Sequence, residues 1–193
     1  MKGMGEGQCP FGFGSDTTES SGTSYAEGHM GMAKSLARES LPELVREPIE
    51  PGTGNQRTGR CLCGKVSFKI NKPVEMVFAN HDETSRRRSG GVSLTIMIRA
   101  KNTTFNGWGH LVHYPLSEQE TSCFCRACGS PVLSYYVAPE PMAGMARIST
   151  GALDNTDGLR LTADISTDAK PAYYDFEGDR RSISSTDLAK MFG

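Results

Sequence analysis

The sequence predicts a compact all-β domain of antiparallel strands, and three observations support this prediction. Apolar and polar residues alternate, as in Val66, Phe68 and Ile70, which places every second side chain on one face of a strand. Such runs lie around residues 66–70, 92–98, 111, 132–137 and 146–149. Turn-forming residues such as Asn106-Gly107 separate the runs, and two pairs of cysteines interrupt the pattern. Short alternating strands at close spacing favour an antiparallel all-β domain.

Residues 1–56 differ in composition and are predicted to form a flexible acidic extension. Glycine and serine are abundant there, and acidic residues outnumber basic ones 8 to 4. Few large apolar side chains are present to offset the entropy lost on ordering. A capping-box pattern from Ser40 to Glu43 predicts one short helix over residues 41–46. We therefore expect the β domain over residues 57–178, followed by a polar tail over 179–193 with a weak helix signal at 185–191.

Charge and cysteine content limit the classes of partner and compartment. The formal net charge is -1 and 22% of residues are charged, which gives no electrostatic reason to expect nucleic acid or membrane partners. No apolar run is long enough to cross a bilayer, and the first residues lack a secretory pattern. We expect a soluble cytoplasmic protein, in which six cysteines indicate metal or redox chemistry before disulfides.

Two close cysteine pairs, Cys61 with Cys63 and Cys125 with Cys128, predict a structural zinc site. Zinc takes four thiolates in a tetrahedron, and two turns far apart in sequence can supply them. A glycine follows each pair, which suits a tight turn with backbone N–H groups facing the sulfurs. Buried or disulfide-bonded cysteines are the alternative, and a reducing compartment disfavours disulfides.

The two remaining cysteines stand outside these pairs. On a strand, Cys123 shares a face with Cys125, so it is either an alternative ligand or, as we prefer, a small buried hydrophobe. Cys9 precedes Pro10 in the extension, and a Cys-Pro pair can ligate haem, but a lone thiol is the simpler interpretation. The sequence pattern alone therefore assigns neither Cys9 nor Cys123 to the zinc site.

Four motifs together resemble the glutathione-dependent formaldehyde-activating enzyme family, or GFA family. They are Gly59-x-Cys61-x-Cys63-Gly64-x-Val66-x-Phe68, Phe124-Cys125-x-x-Cys128-Gly129-Ser130-Pro131, Gly151-x-Leu153-Asp154 and Lys170-Pro171-x-Tyr173-Tyr174. The resemblance runs from about residue 59 to residue 176. It implies a zinc-stabilised fold of antiparallel sheets, and it implies that Cys61, Cys63, Cys125 and Cys128 hold the structural ion. It selects Cys125 over Cys123.

The same resemblance reveals a departure at residues 80–90. Family members carry Cys-His-Cys-x-x-Cys there, and the three thiolates hold a second, catalytic zinc. This chain keeps His81 and the basic Ser-Gly ending, but it has Asn80, Asp82 and Ser85 in place of the cysteines. Because neutral oxygen ligands bind zinc weakly, we predict that the second zinc is absent.

The resemblance implies carbon–sulfur lyase chemistry on an adduct of glutathione and an aldehyde. Without the second zinc, we predict a small-molecule lyase-type enzyme in which His81 and Asp82 carry out acid–base chemistry. A basic loop, Arg86 to Arg88, would hold a carboxylated substrate, with Arg86 as a catalytic candidate. The expected substrate is a small molecule, either a thiol, an aldehyde or a carboxylate. Another metal bound by His81 and Asp82, with His110 or His113, is a second interpretation. The alternative function is a non-catalytic module that binds a small molecule or a protein and retains only the structural zinc.

Overall fold

The computed structural model describes residues 56–138 and 140–192. The predicted extension, its short helix at 41–46 and Cys9 lie outside the described residues. Within the described part, eleven strands form two sheets, accompanied by two short α-helices. The predicted all-β class is confirmed.

The smaller sheet has three antiparallel strands in the order β1-β2-β5. These strands are β1 (Arg57–Arg60), β2 (Ser67–Ile70) and β5 (Thr103–Asn106). Phe68 on β2 lies opposite Phe105 on β5, and their ring centroids are 5.5 Å apart. The alternation around residues 66–70 thus places this pair on one buried face.

The larger sheet has eight strands in the order β11-β10-β3-β4-β9-β8-β7-β6. They are β3 (Met76–Asn80), β4 (Ser93–Arg99), β6 (Leu111–Pro115), β7 (Glu120–Cys125), β8 (Pro131–Tyr136), β9 (Met145–Ser149), β10 (Arg160–Ile165) and β11 (Arg181–Ile183). The pairings from β3 to β6 are antiparallel, but β3–β10 and β10–β11 are parallel. The sheet therefore combines parallel and antiparallel pairs at one edge. The alternation of apolar and polar residues does not predict this, because it shows which face a side chain lies on and not the direction of the neighbouring strand.

One apolar core joins the two sheets. Its fully buried side chains include Phe68 and Ile70 from the small sheet and Ile96, Leu133 and Ile148 from the large one. Fully burying a side chain of this size contributes about 1.5–3 kcal/mol. The predicted alternation on β4 thus marks the face that packs into this core.

The opposite face of the large sheet carries a group of buried polar residues. Strand pairing aligns Asn80 with Ser93, and Arg147 with both Met97 and Ser134. Asn80, Ser93, Ser134 and Arg147 are all buried. Because buried polar groups require partners, this face must contain a hydrogen-bonded network.

Two short helices complete the described part. Helix α1 (Glu83–Ser89) follows β3; Asp82 caps its start, and Gly90 ends it in the left-handed conformation at φ 74°. Helix α2 (Ser185–Phe192) follows β11, so the segment expected as a polar tail supplies a strand and a helix. No helix in the described part has the length and apolar character needed to cross a membrane.

Candidate metal centre and buried polar site

The four cysteines of the two predicted pairs come together in one cluster. The sulfurs of Cys61, Cys63, Cys125 and Cys128 all lie within 4.8 Å of one another. Cys61 Sγ is 3.6 Å from Cys63 Sγ, which is 3.8 Å from Cys125 Sγ. A tetrahedron of thiolates about 2.3 Å from zinc has edges of about 3.8 Å. The separations therefore fit a metal ion held by four sulfurs.

Two tight turns with matching backbone hydrogen bonds build this cluster. The Cys61 N–H donates to the Val66 carbonyl, and the Cys125 N–H donates to the Ser130 carbonyl, five residues on in each case. Gly64 and Gly129 both have φ 73°, a conformation that side chains disfavour. The two turns are also tied together, since the Leu62 N–H donates to Ser130 Oγ at 3.1 Å.

Hydrogen bonds also prepare the sulfurs for metal binding. The Val66 N–H donates to Cys61 Sγ at 3.3 Å, and the Ser130 hydroxyl lies 3.2 Å from Cys128 Sγ. The Ser130 hydroxyl and backbone lower the pKa of Cys128 to about 5. For Cys63, a backbone hydrogen bond at Lys65 lowers the pKa, but burial and the other cysteines raise it to about 11. A cation bound among the sulfurs would favour the thiolate form of all four cysteines.

Cys123 lies outside the cluster, as the preferred interpretation of this residue expected. Its side chain is fully buried, and Cys123 Sγ is 3.2 Å from His113 Nδ1. Burial raises the pKa of Cys123, which keeps the thiol protonated. His113 packs against Trp108, with ring centroids 4.9 Å apart.

His81 lies at the centre of a second polar site. Its side chain is 0% exposed, and its two ring nitrogens contact residues far along the chain. His81 Nε2 is 3.0 Å from Asp164 Oδ1, and His81 Nδ1 is 2.6 Å from Tyr174 Oη. Arg180 Nε donates to the other oxygen of Asp164 at 3.0 Å. These residues form a chain of hydrogen bonds from Arg180 through Asp164 and His81 to Tyr174.

Asp82 and Arg86 lie beside His81, but neither side chain hydrogen-bonds to its imidazole ring. Asp82 Oδ1 accepts from the Ser85 N–H at 2.8 Å and so caps α1. Arg86 Nε donates to the His81 carbonyl at 2.9 Å. The structure therefore places the three predicted catalytic residues together in space, with His81 paired to Asp164 and Tyr174 rather than to Asp82.

The prediction that Arg86 to Arg88 form a loop is wrong, because these residues belong to helix α1. Helical spacing of about 100° per residue sends the three side chains in different directions. Arg87 pairs with Glu83 on the exposed surface at 2.6 Å. Arg88 instead lies 3.3 Å from Ser122 Oγ and 3.4 Å from Ser93 Oγ. The run is therefore not a single clamp for one substrate.

Residues 56–169, more than half of the chain, match the family described as GFA, glutathione-dependent formaldehyde-activating enzyme. The chain belongs to the GFA family. No curated protein matches its sequence. Among solved structures, the crystal structure of a Rhodobacter sphaeroides protein has a TM-score of 0.42 and 17% identity, covering 51% of this chain and 88% of that one.

GFA domains bind zinc, and the four-cysteine cluster of this member fits that ion. The cluster offers four sulfurs and no further ligand position, which is the arrangement of a structural site. In the described residues, no other group of three or more His, Cys, Asp and Glu side chains lies close enough to share an ion. The exposed His110 and the partly buried His113 thus join no such group with His81 and Asp82.

At positions 80, 82 and 85, where the GFA resemblance implies thiolate ligands, this chain has Asn80, Asp82 and Ser85. Asn80 and Asp82 hydrogen-bond to other residues of the protein. Asn80 Nδ2 donates to the Ser93 carbonyl at 2.9 Å and to Thr95 Oγ1 at 3.0 Å. Asn80 Oδ1 accepts from Arg147 Nη1 at 3.2 Å. Asp82 caps the helix, and Ser85 is buried at its first turn.

Sequence reasoning missed Arg147, Glu120 and Asp164. Arg147 is only 8% exposed; it pairs with Glu120, and its guanidinium lies 5.4 Å from the centre of the Tyr136 ring. A charged residue inside an otherwise apolar strand, as in Ala146-Arg147-Ile148, is the signal that could have marked it. Asp164 offers the same signal between Ala163 and Ile165.

Proposed function

We propose that this GFA-family chain is a small-molecule lyase-type enzyme that makes or breaks the carbon–sulfur bond of a thiol–aldehyde adduct. Glutathione and formaldehyde are the reference thiol and aldehyde. The observation that carries the proposal is the hydrogen-bonded chain from Asp164 through His81 to Tyr174. Its inner members are buried, whereas Tyr174 is partly exposed and accessible to a substrate.

The partners of His81 fix the direction in which a proton can move. The Asp164 carboxylate can only accept, so His81 Nε2 carries the hydrogen, and Nδ1 accepts from the Tyr174 hydroxyl. Tyr174 can therefore give its proton to His81 while taking one from a substrate thiol. Burial raises the pKa of Tyr174, which keeps the phenol protonated until that transfer. Asp164, held by Arg180, stabilises the imidazolium that results.

The proposed reaction is balanced without an added cofactor. The thiol loses its proton to Tyr174 Oη as the Tyr174 proton passes to His81. The sulfur then forms a bond to the carbonyl carbon, and the carbonyl oxygen takes the proton back from His81 through Tyr174. The products are the hydroxyalkyl thioether and the regenerated protein. The same steps in reverse cleave the thioether. In this scheme Tyr174 contacts the substrate and His81 acts through it.

Arg86 and Asp82 take different parts in this proposal. Arg86 uses Nε to bind the His81 carbonyl, which leaves its terminal nitrogens for a carboxylate of the thiol substrate. Asp82 fixes the start of α1, and so it positions the segment that holds His81. Zinc held by Cys61, Cys63, Cys125 and Cys128 would stabilise the fold.

A non-catalytic binding module that retains only the structural zinc is the second candidate. It is favoured by the full burial of His81 and by the internal hydrogen bonds of Asn80 and Asp82. In this case the chain from Arg180 to Tyr174 anchors the segment around residue 174 to the sheet. Catalytic turnover distinguishes the two candidates.

The test is the rate of adduct formation from glutathione and ¹³C-formaldehyde, followed by NMR against the uncatalysed rate. Tyr174→Phe keeps the ring and removes the hydroxyl, so we expect kcat to fall about 10²- to 10⁴-fold with little change in melting temperature. Tyr173→Phe is the matched control, because Tyr173 is a 78% exposed neighbour, and it should keep full activity. Full activity in Tyr174→Phe would contradict the role of Tyr174. A wild-type chain that adds nothing to the uncatalysed rate would favour the binding module.

A further inference from the structure

A cavity of about 710 Å³ lies between the polar face of the large sheet and the C-terminal helix. Phe78 on β3, Met97 on β4 and Arg147 on β9 line it from the sheet, and Leu188 and Met191 on α2 line it from the other side. Its volume is within the about 300–1,000 Å³ typical of small-molecule sites. Residues 181–192, which form that wall, lie beyond the family match.

The lining of this cavity combines a flexible apolar surface with positive charge. Four methionines line it, at positions 76, 97, 142 and 191. Methionine side chains adapt to ligands of irregular shape. Two arginines, Arg147 and Arg181, also line the cavity, whereas no aspartate or glutamate is among its lining residues. Glu120 offsets the charge of Arg147 from outside the lining, so it is mainly the exposed Arg181 that favours an anionic group on an otherwise apolar ligand.

Arg147 retains hydrogen-bonding capacity for such a group. A guanidinium carries five N–H groups, and the contacts of Arg147 to Ser134, Asn80 and Glu120 use one from each nitrogen. Two N–H groups therefore remain on the terminal nitrogens. Those same contacts hold the guanidinium in place, so it would lose little side-chain entropy on binding.

We propose that this cavity binds a free monocarboxylic acid with a flexible aliphatic body. The carboxylate matches the planar donor pairs of Arg147 and Arg181, and the aliphatic body fills the space among the methionines, Phe78 and Leu188. The site is separate from the Tyr174 chain, since none of His81, Asp164 and Tyr174 lines the cavity. It is a binding site in addition to the proposed reaction centre.

The experiment is calorimetric titration of the full chain with octanoate and with 1-octanol, which share the aliphatic body. We expect octanoate to bind and octanol to bind at least tenfold more weakly. Arg181→Gln, at an exposed residue, should weaken octanoate about tenfold and leave octanol unchanged. Arg99→Gln, an exposed arginine outside the cavity, is the matched control and should change neither affinity.

A second variant tests the position of the ligand body. Leu188→Glu places a carboxylate in the helical wall, so it should abolish octanoate binding while the zinc content and circular dichroism stay unchanged. The proposal is overturned if octanoate does not bind, if octanol binds equally well, or if both cavity variants keep wild-type affinity. Tyr174→Phe should bind octanoate normally, which separates a failure here from a failure of the proposed enzymatic activity.

Discussion

The four-cysteine cluster and the Asn80–Ser85 segment both lie at strand ends, but they differ in how their polar groups are satisfied. In the cluster, four sulfurs converge with weak hydrogen bonds as their protein contacts. In the segment, amide, carboxylate and hydroxyl groups take the positions where the family resemblance implies thiolates, and Asn80 bonds to Arg147. Oxygen and amide groups can be satisfied by the protein's own donors, whereas clustered thiolates require an ion. The comparison shows that the protein itself satisfies the polar side chains of this segment, whereas the sulfurs of the cluster are spaced to fit an ion.

Loss of one ligand of the four-cysteine cluster should have the largest effect. Cys128→Ser removes one of the four ligands, and because zinc binding and folding are coupled, we expect the domain to lose its cooperative melting transition. Metal analysis of the wild-type chain should give about one zinc ion per chain. Cys123→Ala, a buried cysteine outside the cluster, is the control; it should keep its zinc and lose only about 1 kcal/mol of unfolding free energy. Normal melting of Cys128→Ser would contradict a structural zinc.

Breaking the Arg147–Glu120 pair should have the next largest effect. Arg147→Met leaves the mostly buried Glu120 carboxylate without its cation, so we expect the unfolding free energy to fall by about 3–5 kcal/mol. The double variant Arg147→Met/Glu120→Leu removes both charges and should recover much of that loss. Urea unfolding of both variants measures the coupling, and a double variant no more stable than the single one would contradict a charge-based explanation.

The smallest effect concerns Asp82. Asp82→Ala removes the cap of α1 and should cost about 1 kcal/mol in urea unfolding, whereas Asp82→Asn keeps a capping oxygen and should cost a few tenths. In the adduct-forming assay, Asp82→Asn should keep its activity. If Asp82→Asn instead loses activity with its stability intact, the carboxylate acts in the chemistry and not only as a cap.

Local sequence patterns predicted the parts of the molecule that local forces determine. The alternation on β2 and β4 marked residues that lie in the core, and the two cysteine pairs marked the cluster. Asp82 could also have been recognised as a helix cap, since aspartate is a preferred N-cap and Glu83 places an acidic residue in the first turn. The run of three arginines predicted one basic loop, but the three side chains have different partners because they lie on a helix.

The partners of His81 could not be predicted, because they lie 83 and 93 residues away along the chain. The sequence offered the adjacent Asp82 as its partner, but the backbone turn into α1 directs that carboxylate to the Ser85 N–H. The parallel pairing of β10 with β3 then brings Asp164 beside His81. Pairing direction depends on connections across the whole domain, which a local pattern does not contain.

The matching turns around Cys61 and Cys125 also affect how the chain folds. Cys63 and Cys125, whose sulfurs are 3.8 Å apart, are 62 residues apart in sequence, so a bound ion closes a long loop. In the chain-entropy treatment of cross-links, a loop of that length restricts the unfolded ensemble by about 4 kcal/mol. Unlike a disulfide, this cross-link forms without oxidation and is removed by a chelator. The availability of zinc would thus set the folded population of this domain in a reducing environment.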